Sequence, residues 1–186
     1  MFENRKIAFI GSGVMGEAMI AGILRQGKAP LRSLIAAEPR VERIEELRSQ
    51  YGIAITADNA EAAGQADVIV LSVKPQSLGK VFSSIRGHVQ PHALILSIVA
   101  GAPISKIAGG LDHAAVVRSM PNTPAQIGEG ITVWTAAPAV TAEQQEMAKG
   151  GIAFRSWNAF RAWNGWFPFH PPISWPAGRP KRKRAH

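Results

Sequence analysis

No cysteine occurs among the 186 residues, which excludes disulfides, thiolate nucleophiles and cysteine metal sites and suits a cytoplasmic address. No apolar stretch is longer than a strand, so neither a membrane span nor a secretory leader is expected. The first six residues carry an acid and lead into only four apolar ones. His88, His92 and His113 sit in polar, turn-like contexts without the acidic partners of a metal site, and they read as surface residues. Acid is missing from the end of the chain. Residues 150–186 hold 7 Lys+Arg and no Asp or Glu, whereas residues 1–149 hold 14 Lys+Arg and all 13 Asp+Glu. The net charge of +8 therefore belongs to the tail and is not the footprint of a basic nucleic-acid-binding domain. The same tail contains four of the five tryptophans and five of the thirteen prolines. The break in composition divides the chain into a domain over residues 1–148 and an irregular tail over 149–186.

The most informative segment is Lys6–Ile20, where a four-residue apolar run (Ile7, Ala8, Phe9, Ile10) meets a glycine turn and the start of a helix. Gly11, Gly13 and Gly16 fit G-x-G-x-x-G. In that pattern the first glycine makes the sharp turn, the second lets a pyrophosphate approach the backbone, and the third lets helix pack on strand. The helix opening at Val14 directs its unpaired N–H groups and positive dipole end at the pyrophosphate. Met15, Ala18, Met19, Gly22 and Ile23 recur at helical spacing on one face. Ile10, Gly11, Ser12, Gly13, Val14, Met15 and Gly16 are thus candidate cofactor-binding residues.

Beyond this unit, strand and helix patterns alternate. Strands are expected at 33–37, 51–56, 66–72, 93–99 and 114–118. Helices are expected at 40–50, from Asp58 or Asn59 to Ala63, from Pro75 to about Arg86, and over 104–108. A last strand at 131–134 and a helix capped by Thr141 and Gln144 would complete the unit. Alternation at this spacing predicts a doubly wound, mainly parallel α/β sheet of Rossmann type, with strand order 3-2-1-4-5-6 and ligands at the carboxyl ends of the strands.

Three further segments fall at that edge. Glu38-Pro39-Arg40 ends the second strand, where such folds read the adenosine ribose: Glu38 could accept from a 2′-hydroxyl and favour NAD, and Arg40 could pair with a 2′-phosphate and favour NADP. Ser72, Val73, Lys74 and Pro75 follow the fourth strand, with backbone placed to line a cofactor. Met120–Pro124 follows the sixth, and its two prolines fix a loop that presents Asn122 and Thr123 to the mouth of the sheet.

Together these segments resemble pyrroline-5-carboxylate reductase. The resemblance rests on Ile10–Gly16, Asn59, Leu71–Pro75, Val99-Ala100-Gly101, Arg118–Pro124 and Glu129-Gly130, in the family's order and spacing, and spans roughly residues 5–148. It implies NADPH- or NADH-dependent reduction of 1-pyrroline-5-carboxylate to proline. Asn59, Val99, Ala100 and Gly101 would join the cofactor-binding set, and Asn122 and Thr123 would border the nicotinamide as the catalytic pair. A protonated cyclic imine is already electrophilic, so such an enzyme chiefly holds hydride donor and acceptor in attack geometry and excludes water; no metal is demanded. The family's homo-oligomer interface and carboxylate-binding groups lie in a helical domain that opens on Ser-Gly-Ser-Gly-Pro, which does not occur here. Two readings of the tail stand side by side. It has the composition that GC-rich coding sequence yields in a wrong frame, or it is a genuine basic end. Nucleic acid is not its expected partner.

Overall fold

The computed structural model describes residues 2, 4–121 and 132–149. Asn122, Thr123 and the tail beyond Lys149 lie outside them. Ile7–Ile10 form β1, buried at every position, as a strand covered on both faces must be. Val14–Arg25 form α1, and Leu34–Ala37 form β2. Val41–Tyr51 form α2, which Gly52 ends in the left-handed region (φ 66°), its N–H donating to the Arg48 carbonyl. That cap explains why β3 is confined to Ala54–Thr56 instead of starting at Tyr51. Asp58 caps α3 (Asn59–Gly64) by accepting from the Ala60 N–H. β4 is Val68–Leu71. Pro75 opens a 3-10 turn to Ser77 that leads into α4, Leu78–Ile85. β5 (Leu94–Ser97), α5 (Ile104–Leu111), β6 (Val116–Pro121), β7 (Thr132–Ala136) and α6 (Ala142–Met147) follow. The expected cap of α6 is present: Thr141 Oγ1 accepts from Gln144 N–H, and the Gln144 side chain accepts from Thr141 N–H.

The seven strands form one sheet in the order β3-β2-β1-β4-β5-β6-β7. All neighbours are parallel except β6 and β7, whose antiparallel pairing runs from Val117 opposite Ala136 to Pro121 opposite Thr132. The pairing carries β6 three residues beyond the Arg118 end expected from sequence. The architecture is the doubly wound α/β fold expected. Alternate side chains of β1 feed opposite faces. Phe9 joins Met19, Ile20 and Ile23 under α1, while Ile10 joins Ile69, Leu71, Leu78 and Phe82 under α3 and α4. Each large side chain so buried contributes about 1.5–3 kcal/mol. Ile10 stands opposite Ala37 and Leu71, and Leu71 opposite Ser97, which brings the carboxyl ends of four strands level.

At the other edge, Asp67 draws the strand starts together. Its carboxylate accepts from Lys6 N–H at 2.7 Å and lies 3.2 Å from His92 Nε2. His92 therefore has an acidic partner that the sequence did not announce. His113 is half-buried, its Nε2 donating to the Ala93 carbonyl at 2.6 Å.

Candidate functional site

The glycine turn is built from three glycines in three different situations. Gly11 has φ 88°, and a Cβ there would lie 2.6 Å from Val73 Cγ1 and 3.2 Å from the Ser72 carbonyl oxygen. Gly16, in the first turn of α1, leaves room for the chain beneath it: a Cβ would lie 2.7 Å from the Gly11 carbonyl oxygen and 2.9 Å from Ser72 Oγ. The fold itself demands both. Gly13 is exposed with an ordinary φ of −68°, and a Cβ there would meet nothing within 4 Å. Protein packing therefore does not require glycine at that position. Gly13 is also the N-cap of α1, whose first-turn N–H groups have no partner within the helix.

Both flanks hold this turn. From β4, Ser72 Oγ donates to the Gly11 carbonyl at 2.6 Å and Ser72 N–H to the Ile10 carbonyl at 3.0 Å. From β2, the buried Glu38 carboxylate accepts from Ser12 N–H at 3.4 Å. Its other oxygen accepts from Arg40 Nε at 2.7 Å and Arg40 N–H at 3.3 Å. Burial pushes the Glu38 carboxyl up. The hydrogen bonds and charge of Arg40, with the Ser12 N–H, outweigh burial and leave it below its ordinary value. From α2, Arg43 donates to the Ser12 carbonyl through Nε and Nη2, both at 3.4 Å, and pairs with Glu46 at 2.8 Å and with Glu17. Tyr51 donates to Glu17 at 2.9 Å. Burial, then the bond to Glu17 and its charge, push this phenol up to about 12. Ser12 Oγ is buried without a partner among the described residues.

These parts enclose a cleft of about 700 Å³. Of the residues singled out from sequence, it brings together Gly11, Ser12, Gly13 and Val14 with Glu38 and Arg40 on one side and Ser72, Val73 and Lys74 on the other. Others stand back from it. Ile10 lies in the core, Met15 packs against the core, and Gly16 is buried under the turn. Pro75 begins the 3-10 turn. Asn59 donates its amide to Ser84 Oγ at 3.0 Å. Val99 is buried, and Ala100 and Gly101 form an exposed turn after β5, with Gly101 at φ 70°. Neither Asn59 nor Val99–Gly101 lines this cleft. The candidate pair Asn122 and Thr123 lies outside the described residues. Glu17, Pro39, Arg43, Glu46 and Ser77 also line the cleft and were not anticipated. For Arg43 and Glu46 the signal in sequence is the dense charge of Arg40–Glu46, which reads as a solvated helix face, and Pro39 lies within the Glu38–Arg40 segment already named; Glu17 and Ser77 carry no such signal.

Chemically, the cleft offers an unobstructed backbone turn at a helix N-terminus, which suits a pyrophosphate, and a charged wall at the end of β2, which suits a ribose or its phosphate. Among the described residues no group of three or more His, Asp or Glu could hold a metal ion. No described helix is long and apolar enough to cross a membrane.

A family model described as NADP oxidoreductase coenzyme F420-dependent matches residues 6–101. Pyrroline-5-carboxylate reductase 1 of Bacillus spizizenii is 38% identical over 151 residues, covering 80% of this chain and 51% of that protein. The pyrroline-5-carboxylate reductase of Pseudomonas aeruginosa is 39% identical over 144 residues, covering 77% and 52%. Among solved structures, a pyrroline-5-carboxylate reductase from Coxiella burnetii superposes with a TM-score of 0.77 at 27% identity, covering 81% of this chain and 56% of its own. The Plasmodium falciparum pyrroline carboxylate reductase with NADP bound gives 0.69 at 28%, covering 79% and 53%. The chain spans about half the length of the curated relatives it matches.

Proposed function

This chain belongs to the family of NADP oxidoreductases, coenzyme F420-dependent, and we propose that it forms the nicotinamide-dinucleotide-binding part of a cytoplasmic pyrroline-5-carboxylate reductase in proline biosynthesis. The observation that carries the cofactor reading is Gly13: a glycine without conformational need, with open space where its Cβ would stand, at the N-terminus of α1. The pyrophosphate of NADP or NAD fits that opening. When bound, the dinucleotide supplies the hydride that reduces a C=N carbon.

The chain's own residues supply position. First-turn N–H groups of α1 would hold the pyrophosphate, and the Glu38–Arg40 end of β2 would face the adenosine ribose. Ser72–Lys74 form the wall opposite. By the family likeness, Asn122 and Thr123 would border the nicotinamide. The support for 1-pyrroline-5-carboxylate as the substrate is the likeness to pyrroline-5-carboxylate reductases over about four-fifths of this chain.

The test is a fluorescence titration of the 186-residue chain with NADPH and NADH, followed by addition of 1-pyrroline-5-carboxylate while absorbance of the reduced nicotinamide is recorded. Nucleotide binding is the expected result, and loss of absorbance would extend the reading to turnover by this chain. Binding without turnover would leave a nucleotide-binding module and defeat the reading that this chain is itself active. A folded chain that binds neither nucleotide would defeat the clamp itself.

A further inference from the structure

The chain between α1 and β2 enters the sheet at its amino edge, opposite the cleft. It forms a second cavity of about 410 Å³, lined by Gly27, Lys28, Ala29, Pro30 and Arg32. Lys28 and Arg32 bring positive charge, and no acid stands among the described lining residues. In the sequence, too, no Asp or Glu falls between Glu17 and Glu38. Gly27 and Arg32 are exposed, and open space lies where a Cβ of Gly27 would stand, so the cavity opens to solvent.

Lys28 is fixed in this cavity by its backbone. Its N–H donates to the Ile23 carbonyl at 3.1 Å, and its carbonyl accepts from the N–H of the fully buried Phe2 at 3.2 Å. The residue is half-buried, and Nζ has no hydrogen-bond or ion-pair partner among the described residues. The other described lysines differ. Lys6 Nζ donates to Gln65 at 2.9 Å and Lys149 pairs with Glu146, while Lys74, Lys80 and Lys106 are exposed, where water solvates the charge. Burial without a partner disfavours the ammonium and pushes Lys28 below the ordinary lysine value. More of this amine is therefore neutral in mild alkali, and the neutral amine is the nucleophile.

We propose that Lys28 is a modification site, a nucleophilic amine acylated by acyl phosphates, with Arg32 as the residue that receives the phosphate of the donor. The lone pair of Nζ attacks the acyl carbon. A C–N bond forms as the C–O bond to phosphate breaks, phosphate leaves with that electron pair, and the surplus proton on nitrogen passes to water. The products are a neutral amide and inorganic phosphate, with no oxidation or reduction. The guanidinium of Arg32 has no side-chain partner among the described residues, and its planar fork matches two phosphate oxygens. Conversion to an amide also removes the cost that burial places on an unpaired ammonium.

The test incubates the folded full chain with acetyl phosphate at about pH 8 and follows acetylation at each lysine by peptide mass spectrometry, with circular dichroism as the check on folding. Lys28 should react at least about threefold faster than the exposed Lys80 and Lys106. In guanidinium chloride the three rates should converge, since the cavity that sets Lys28 apart is gone. Arg32→Ala, at an exposed position, should slow acetylation of Lys28 by acetyl phosphate about threefold or more. It should leave the rate with the uncharged N-hydroxysuccinimide ester of acetic acid unchanged. A Lys28 rate no faster than those of Lys80 and Lys106, or a lead that persists in the unfolded chain, would overturn the site. Equal slowing of both donors in Arg32→Ala, or slowing of neither, would overturn the part assigned to Arg32.

Discussion

The two walls of the cleft, on either side of β1, are made in different ways. Toward β4 the wall is mostly backbone. The Ser72–Lys74 chain passes close under the glycine turn, one serine hydroxyl ties the two segments, and Val73 fills the space that a side chain on Gly11 would need. Toward β2 the wall is a mesh of charged side chains, with Glu38, Arg40, Arg43, Glu46, Glu17 and Tyr51 each bonded to at least one other member or to Ser12. A backbone wall sets shape and tolerates no added volume. A meshed wall can be altered member by member, and its chemistry decides what is read. Selectivity should therefore sit on the β2 side and stability on the β4 side.

The sharpest break in that comparison uses the glycines, which lie between the walls. Gly13→Val should cost nucleotide binding about a hundredfold or more, because its branched side chain occupies the space left for a pyrophosphate. Its melting temperature should stay close to that of the parent. Gly11→Ala should do the opposite, destabilising the fold by about 2 kcal/mol or more. Its φ of 88° is unfavourable for an L residue, and the new Cβ would press on Val73. Thermal denaturation and NADPH titration on the same two proteins check both. Equal loss of stability in the two variants would deny that Gly13 is reserved for a ligand.

Smaller effects separate the walls themselves. Arg43→Met removes the donors to Ser12, Glu17 and Glu46 and leaves two carboxylates facing each other, so it should destabilise by about 1–2 kcal/mol as well as loosen the turn. Ser72→Ala deletes one hydroxyl bonded to the Gly11 carbonyl and should cost about 1 kcal/mol. Because Ser72 N–H still holds the Ile10 carbonyl, NADPH affinity should change little. Denaturant unfolding paired with nucleotide titration reads both quantities. A larger affinity loss in Ser72→Ala than in Arg43→Met would reverse the assignment of the walls.

How much of this was legible in the chain follows the same division. The β4 wall and the glycine turn could be read because their causes are local. Strand-length apolar runs, a glycine triplet at fixed spacing and a proline after a strand end each carry their geometry with them. The strand order followed from alternation, and the Thr141–Gln144 cap from a four-residue pattern. The β2 wall could be read only in part. Glu38 and Arg40 stand where a strand end faces the ribose, yet nothing local says that Glu38 is buried or that Arg40 covers it. Arg43, Glu17 and Tyr51 were invisible as a group, since the side-chain bonds that join α1 to α2 through Glu17 are tertiary; the charges each look solvated and Tyr51 reads as the start of a strand. Asn59 shows the converse: the family likeness sets it beside the cofactor, while its amide is engaged by Ser84 on α4.

The pH dependence of stability probes the mesh more gently. Glu38 titrates below its ordinary value in the folded chain. Its contribution is therefore present above the pKa of the unfolded state and is lost as pH falls through the folded one. Acid unfolding of Glu38→Gln should be correspondingly less steep in that range. An unchanged acid limb would mean that the Arg40 and Ser12 contacts do not persist in solution.

The smallest predicted effect is also the cleanest to observe, because the chain contains one tyrosine. Phenolate absorbance therefore reports Tyr51 alone. Burial of the phenol, its hydrogen bond to Glu17 and the charge of that carboxylate raise it to about 12, against the opposing pull of Arg43. The folded state thus holds the proton where an unfolded chain, with a pKa of about 10, has lost it. The stabilisation is full below the unfolded value and disappears as pH rises through the folded one. Glu17→Gln removes the charge but keeps an acceptor, and should bring the Tyr51 transition down toward its ordinary value. Arg43→Met should push it further up, since the cation that favours phenolate is gone. The two shifts have opposite signs. Their coincidence, or a Tyr51 transition at the ordinary value in the parent chain, would show that α1 and α2 are not joined through this side chain, and the β2 wall would then lose its outermost brace.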